Sequence, residues 1–337
     1  MRQIVCEQPN HLVYTEAETP VSQPGEALVR IRRIGICGTD MHAYKGNQPF
    51  FSYPRVLGHE LSGEIVGLGD ASAPFQAGDI VSIIPYLECG SCIACRNGKT
   101  NCCTNMKVLG VHKDGGMAEF MTVSYHLLIK IEGLSLDHAA LIEPLSIGAH
   151  AIRRAEIKQG EYVLVIGAGP IGLGVMALAK QEGAKVIAMD VNPERLAFCS
   201  EWAKVDYTVN ALENPLDQIA SITSGEFPTT VFDATGNARS MTEAFRYPAH
   251  GGKLVYVGLV KADISFDDPE FHKRELTLMG SRNATREDFE YVIRSIKQGS
   301  IPLDAYITHR SDFSTMIDHF ETWLDPSSKV IKAIVEL

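Results

Sequence analysis

The segment from Tyr162 to Gly172 restricts the possible folds more than any other part of the sequence. An apolar run rich in β-branched residues leads into Gly167-Ala-Gly169-Pro-Ile-Gly172, and a second apolar run with helical composition follows. In a strand–turn–helix unit, the first glycine permits the turn, the second lets the backbone approach a pyrophosphate, and the third allows the helix to pack closely. The segment therefore predicts the start of a dinucleotide-binding domain.

The next strand supplies the context that this motif requires. Lys185 to Asp190 has the composition of a second buried strand, and it ends in an acid. Asp190 can accept hydrogen bonds from a ribose 2′-hydroxyl and would repel a 2′-phosphate, so the sequence favours NAD over NADP. Arg195 could clamp the adenosine ribose, or it could be an ordinary charge on a helix surface.

Three further segments, 230–236, 252–259 and 277–283, each contain a strand followed by a turn. In open parallel sheets the carboxyl ends of the strands line the ligand crevice. We therefore predict an α/β chain with a doubly wound parallel sheet of the Rossmann type. The predicted cofactor-binding residues are Gly167, Gly169, Ile171, Gly172, Asp190, Arg195, Thr235, Val257, Gly258, Leu259, Ser281 and Arg282.

The first part of the chain contains a different kind of motif. Cys37, His59 and Glu60 supply a thiol, an imidazole and a carboxylate, the three side-chain types that hold Zn²⁺ in proteins. A zinc ion with one open position lowers the pKa of an alcohol that it binds, which favours loss of hydride from the adjacent carbon. Thr39 could accept the released proton and pass it to His42. Each residue alone is more often a packing or surface residue, so the interpretation depends on the set.

Four cysteines form a second candidate metal site. Cys89, Cys92, Cys95 and Cys103 follow the spacing Cys-x₂-Cys-x₂-Cys-x₇-Cys, which can converge tetrahedrally on one ion and leaves no open position. Iron–sulfur ligation is the competing interpretation, but no proline follows the last cysteine and no second cluster motif is present. Adjacent Cys102 is expected to lie outside the site. The sequence predicts a structural zinc.

The motif Gly-Ile-Cys37-Gly-Thr-Asp-x-His42, followed by Gly-His59-Glu60, resembles the zinc-dependent medium-chain dehydrogenases of the sorbitol and threonine dehydrogenase branch. This resemblance covers essentially the whole chain. It implies a GroES-like, β-rich catalytic domain, with Cys37, His59 and Glu60 around the catalytic zinc. It also implies that Glu143 is a fourth ligand, direct or through water, and a catalytic residue. Homodimers or homotetramers joined through sheet edges are expected.

Length and charge limit the remaining possibilities. A chain of 337 residues exceeds what one core usually supports. We predict a catalytic domain at 1–150, a dinucleotide-binding domain at 151–285 and a return segment at 286–337 that completes the catalytic domain. The net charge of −10 argues against nucleic acid and anionic membranes as partners. Because the N-terminus has the pattern of a first strand rather than a signal, a cytoplasmic location is expected.

The substrate is predicted from charge and from similarity. The loop from Lys45 to Arg55 lies between the two ligand segments and is either a packed surface loop or a substrate wall. Arg55 or Arg282 could receive a substrate carboxylate. Segments 46–60, 268–273 and 280–285 are similar to bacterial L-galactonate 5-dehydrogenases, which implies a sugar acid such as L-galactonate. The alternatives are a neutral polyol, L-threonine, or a non-catalytic zinc protein that binds NAD.

Overall fold

The computed structural model describes residues 1–47 and 51–337. The chain divides into two compact units, the first formed by Met1–Glu143 with Leu303–Leu337 and the second by Pro144–Pro302. Both limits differ from the predicted ones at 150 and 285. The largest difference concerns helix Arg286–Lys297, which belongs to the second unit because Gln181 Nε2 donates to Ser295 Oγ at 2.9 Å and Arg153 pairs with Asp288 at 2.7 Å.

The first unit is rich in short strands. Its elements up to the first limit are β1 (Arg2–Gln8), β2 (His11–Glu16), β3 (Glu26–Ile36), α1 (Gly38–Tyr44), β4 (Arg55–Val56), β5 (Glu60–Leu68), β6 (Ile80–Ile83), β7 (Tyr86–Leu87), α2 (Ile93–Arg96), β8 (Lys107–Val108), β9 (Phe120–Ser124), β10 (Leu128–Lys130) and α3 (Leu136–Ala140).

The elements of the remaining chain are α4 (Ile142–Ala155), β11 (Tyr162–Ile166), α5 (Pro170–Gln181), β12 (Lys185–Asp190), α6 (Pro193–Phe198), β13 (Tyr207–Asn210), α7 (Pro215–Ile222), β14 (Thr230–Asp233), α8 (Ala238–Glu243), β15 (Lys253–Tyr256), α9 (Asp268–Lys273), β16 (Thr277–Gly280), α10 (Arg286–Lys297), β17 (Ile307–Asp312), α11 (Met316–Leu324) and β18 (Lys332–Glu336).

The main sheet of the first unit is organised around β3. Its strand order is β10-β6-β5-β3-β18-β17, and β9 also pairs with β3. The alternation predicted for β3 is present, since Val29 and Ile31 are fully buried while Arg30 is exposed. Strand β18 pairs antiparallel with β3, so the C-terminal segment lies beside the strand that leads into Cys37.

The second unit contains the predicted doubly wound sheet. Six parallel strands follow the order β13-β12-β11-β14-β15-β16, so the chain starts in the middle, moves to one edge and then crosses to the other. The buried residues on the central strands share one apolar cluster with residues from the covering helices. The members of this cluster include Leu164, Ile166, Ile187, Met189, Val231, Phe245 and Leu254.

Within residues 1–47 and 51–337, no helix has the length and apolar character needed to cross a membrane.

Candidate functional site

One buried carboxylate joins the two segments that carry the predicted ligands. Cys37 caps helix α1 in an extended conformation, and Asp40, three residues later, accepts a hydrogen bond from the Cys37 amide at 2.9 Å. The other oxygen of Asp40 accepts from the Gly58 amide at 3.1 Å. Asp40 is 1% exposed. This side chain therefore fixes the backbone beside Cys37 and beside His59 at once.

The structure brings three predicted metal ligands together. Cys37, His59 and Glu60 each offer a ligand atom, and these atoms all lie within 4.8 Å of one another. His59 is buried, and its Nδ1 has no hydrogen-bond partner among the described residues, with the nearest carboxylate oxygen, on Asp40, 3.8 Å away. Burial alone would lower the pKa of His59, but Asp40 and Cys37 raise it above its ordinary value. A thiol, an imidazole and a carboxylate at this spacing fit a Zn²⁺ ion.

Glu60 has a cationic partner that the sequence analysis did not identify. Lys332 Nζ lies 2.7 Å from each carboxylate oxygen of Glu60 and donates to the Ile36 carbonyl at 3.2 Å. Glu60 and Lys332 are 0% and 1% exposed. Burial would lower the pKa of Lys332, but the Glu60 carboxylate reverses this effect and raises it. Glu60 is therefore a paired charge.

Glu143 lies beside this group without being part of it. Its carboxylate is buried and accepts a hydrogen bond from the hydroxyl of Tyr86, which is also buried. Burial raises the pKa of Glu143 to about 7, an effect that His59 opposes and Glu60 reinforces. A group with this pKa can hold or release a proton near neutral pH. Direct ligation of a metal by Glu143 stays a prediction.

The predicted proton pathway lies on helix α1. Thr39 and His42 are three residues apart, so their side chains share one face of the helix. Thr39 is partly buried, whereas His42 is exposed to solvent. This arrangement suits a route that begins near Cys37 and ends in water.

The four cysteines predicted to bind a structural ion also converge. The sulfur atoms of Cys89, Cys92, Cys95 and Cys103 lie within 4.8 Å of one another, and exposed Cys102 lies outside the group. Backbone amides point at these sulfurs, and the amide of Cys95 lowers the pKa of Cys92 to about 5. Thiolates held by amides in this way are suited to a closed tetrahedral metal site.

The glycine-rich turn has the geometry that its sequence predicts. Gly167 has a positive φ of 97°, and Gly169 caps helix α5. A Cβ on Gly172 would lie 1.8 Å from the Gly167 carbonyl oxygen, so only glycine fits there. Ile171 is partly exposed in the first turn of α5. The positive end of the helix is thus open to an anionic group.

Asp190, the last residue of β12, accepts a hydrogen bond from the glycine-rich turn. One of its oxygens accepts from the Ala168 amide at 2.7 Å and the other from the Asn192 amide at 2.9 Å. The carboxylate still has lone pairs available for a ribose hydroxyl. Arg195 lies on helix α6 and is exposed.

Asp233 organises the turns after β14 and β15. Its carboxylate accepts from the Thr235 hydroxyl at 2.7 Å, and its carbonyl accepts from the amides of Val257 and Gly258 at 2.9 Å. Both predicted segments therefore meet at the carboxyl end of the parallel sheet.

The remaining predicted cofactor residues follow β15 and β16. Leu259 is 70% exposed, which is unusual for a large apolar side chain. Ser281 is buried, and its amide donates to the Tyr256 carbonyl at 2.8 Å, while Arg282 is exposed. The structure places these residues at the same end of the sheet as the turn after β14.

Arg55 is less available for a substrate than expected. Its guanidinium pairs with Asp114 at 3.1 Å and donates to Ser52 Oγ at the same distance. Its side chain is only 17% exposed. Lys45 is exposed, and the central part of the predicted substrate loop, Gln48–Phe50, lies outside the described residues.

Four residues that support the site were not predicted from the sequence, namely Asp40, Tyr86, Lys332 and Asp114. Only two of them carry a local signal. Asp40 occurs within the ligand motif itself, three residues after Cys37, and Lys332 lies within the otherwise apolar segment 330–335. A charge inside such a segment indicates a buried partner.

Comparison with known proteins agrees with this geometry. Residues 23–133 match the alcohol dehydrogenase GroES-like domain, and residues 170–298 match the zinc-binding dehydrogenase domain. The chain is 46% identical over 335 residues to L-galactonate-5-dehydrogenase from Escherichia coli, covering 99% of this chain and 98% of that protein. It is 32% identical to 2-dehydro-3-deoxy-L-galactonate 5-dehydrogenase from Pseudoalteromonas atlantica, covering 95% and 94% of the two chains.

Solved structures show the same fold. The crystal structure of the alcohol dehydrogenase RspB from Escherichia coli, complexed with NADH, has a TM-score of 0.94 to this chain and 32% sequence identity. The match covers 100% of this chain and 99% of that one.

Proposed function

Because the chain belongs to the zinc-dependent alcohol dehydrogenase family, we propose that it oxidises a secondary alcohol of a sugar acid, best represented by L-galactonate, with NAD as hydride acceptor. The observation that carries this proposal is the buried group of Cys37, His59 and Glu60. Their ligand atoms lie within 4.8 Å of one another, and His59 Nδ1 has no partner among the described residues.

The residues of this group have separate roles. Cys37, His59 and Glu60 would hold the zinc ion, which supplies a Lewis acid that lowers the pKa of a bound alcohol. Asp40 orients the backbone of both ligand segments. Glu143 would act as a proton-holding group or an exchangeable ligand, since burial raises its pKa to about 7.

Proton release is assigned to helix α1. The Thr39 hydroxyl would accept the alcohol proton and pass it to His42, which is exposed and can exchange protons with water. Through this relay the proton would leave the partly buried Thr39 hydroxyl and reach water at His42.

The cofactor is assigned from the second unit. Gly167, Gly169 and Gly172 would receive the pyrophosphate at the start of α5, and Asp190 would accept the ribose hydroxyls. A 2′-phosphate would meet the carboxylate of Asp190, so we assign NAD rather than NADP. We propose that Arg195 contacts the adenosine ribose.

The sugar-acid substrate rests on the named relatives and on one exposed cation. Two of the relatives compared above are named as 5-dehydrogenases of L-galactonate and of 2-dehydro-3-deoxy-L-galactonate. Arg282 follows β16 at the carboxyl end of the parallel sheet and is exposed, whereas the side chain of Arg55 is only 17% exposed. We therefore prefer Arg282 as the group that meets the substrate carboxylate.

A substrate panel with NAD tests the proposal. L-Galactonate, a neutral polyol and L-threonine are compared by the absorbance of reduced nicotinamide, and the acid should give the highest kcat/KM. Arg282→Ala should raise KM for the acid at least tenfold and spare the neutral polyol. Arg239→Ala, which removes an exposed cation paired with Glu243, serves as the matched control.

Other results of the substrate panel would favour a different substrate, a different role for Arg282 or a protein without activity. Equal losses on acid and polyol would reject the role of Arg282, and a preference for sorbitol or L-threonine would replace the substrate. No turnover with any alcohol would favour a non-catalytic NAD-binding protein.

We also propose a cytoplasmic homodimer or homotetramer. Free thiols in a metal-binding arrangement suit a reducing compartment. In the described chain β16 is an edge strand with Leu278 41% exposed, and such an edge can pair with a second copy.

A further inference from the structure

Lys332 is a buried lysine whose position is fixed from three directions. Its Nζ contacts both oxygens of Glu60 at 2.7 Å and the Ile36 carbonyl at 3.2 Å. Strand β18 pairs with β3 at Ala333 and Ile36, the residue before Cys37. Backbone pairing therefore holds the ammonium group next to the proposed metal ligands.

Burying Lys332 and Glu60 costs free energy of hydration, and a simple packing role does not explain why the protein keeps this charged pair. Two charged groups that are 0% and 1% exposed have lost their hydration, and replacing such a pair by apolar residues is often neutral or stabilising. Removing only the lysine would leave the Glu60 carboxylate buried without a counter-charge. A divalent cation at Cys37, His59 and Glu60 could supply that counter-charge instead.

We propose that Lys332 is a positioning residue that shares the Glu60 carboxylate with the metal and weakens its hold on that metal. This inference rests on the proposed function, because it assumes that Glu60 faces the catalytic ion. The ammonium spans both oxygens and so fixes the orientation of the carboxylate. It also offsets one negative charge, which leaves the ion more electrophilic toward an alcohol.

Thermodynamic linkage gives the expected direction of the effect. Lys332→Met destabilises the metal-free protein, where Glu60 loses its counter-charge, more than the zinc-loaded protein, where the ion replaces it. The variant should therefore bind zinc at this site at least tenfold more tightly than the wild type, a change that corresponds to about 1.4 kcal/mol. Lys332→Arg keeps the charge and should stay within about threefold of the wild type.

The experiment is a chelator competition for zinc at pH 7 without substrate or cofactor. Cys37→Ser, which keeps only the four-cysteine cluster, provides the binding curve to subtract. In a Glu60→Gln background, Lys332→Met should change the affinity less than threefold, because no carboxylate charge is left to share. A role in packing alone would give the same shift in both backgrounds.

Two results would overturn the inference. One is unchanged or weaker zinc affinity in Lys332→Met, and the other is an equal shift in the Glu60→Gln background. If Lys332→Met folds only when zinc is present, zinc release into chelator still gives its affinity, and that behaviour supports the proposal. If it fails to fold even with zinc, the ion does not replace the ammonium and the proposal is wrong. Absence of dehydrogenase activity would refute the proposed function and leave this measurement intact.

Discussion

The glycine-rich turn allows stability and cofactor binding to be separated by two matched substitutions. A Cβ on Gly172 would lie 1.8 Å from the Gly167 carbonyl oxygen, whereas Cβ contacts below 3.0 Å are essentially never observed. To relieve this contact, the backbone of the turn or of helix α5 would have to shift. Gly172→Ala should therefore lower the free energy of unfolding by about 3 kcal/mol.

Gly169→Ala changes the same motif without a clash. Gly169 has φ −79° and ψ −179°, which any residue adopts, and a Cβ there would meet no heavy atom within 4 Å. Losing glycine at a helix N-cap should cost less than about 1 kcal/mol. The added methyl group would occupy the space through which the pyrophosphate approaches, so NADH affinity should fall at least tenfold.

The assays are urea unfolding followed by circular dichroism, and titration with NADH followed by its fluorescence. We expect the Gly172→Ala protein to lose stability, and the Gly169→Ala protein to lose NADH affinity while its stability stays near that of the wild type. A Gly172→Ala protein as stable as the wild type would refute the packing argument. Unchanged NADH affinity in Gly169→Ala would refute the placement of the cofactor.

Two further predictions concern charges and thiols away from this turn. Burial opposes ionisation of Asp288, but hydrogen bonds from His150 and Arg153 lower the pKa of its carboxyl group in the folded protein below the ordinary 3.8. The ionised carboxylate therefore stabilises the folded protein fully above pH 3.8, and this stabilisation is lost as the pH falls through the pKa of the folded state. Asp288→Asn should lower the free energy of unfolding by about 3 kcal/mol at pH 6. Measured by urea unfolding, the difference in this free energy between variant and wild type should shrink below about pH 4. A difference that stays constant with pH would contradict this. Cys92→Ser should remove one zinc ion per chain and make the lobe around α2 sensitive to protease, whereas Cys102→Ser should do neither.

The features that could be predicted from sequence are those with a local pattern. The alternation around Val29 and Ile31 gave a strand with one exposed side, and the glycine spacing from Gly167 to Gly172 gave the start of the parallel sheet. Both patterns reflect constraints within a few residues, namely side-chain period and backbone approach. The four-cysteine spacing is local in the same sense.

The missed features depend on contacts between distant residues. Lys332 pairs with Glu60 across 272 positions, and only the pairing of β18 with β3 brings them together. Arg55 looked available because its partner, Asp114, is 59 positions away. Helix α10 lies within the second compact unit rather than in the predicted return segment, because its contacts with Arg153 and Gln181 are distant in sequence and leave no local signal.

The central claim is that Cys37, His59 and Glu60 hold a metal ion that turnover requires. Its most direct test is metal analysis of the purified Cys37→Ser protein together with its rate of NAD reduction on L-galactonate. We expect two zinc ions per chain in the wild type, one in the variant, and at least a hundredfold loss of kcat. Two zinc ions in the variant, or one zinc ion in a variant that turns over at the wild-type rate, would contradict it.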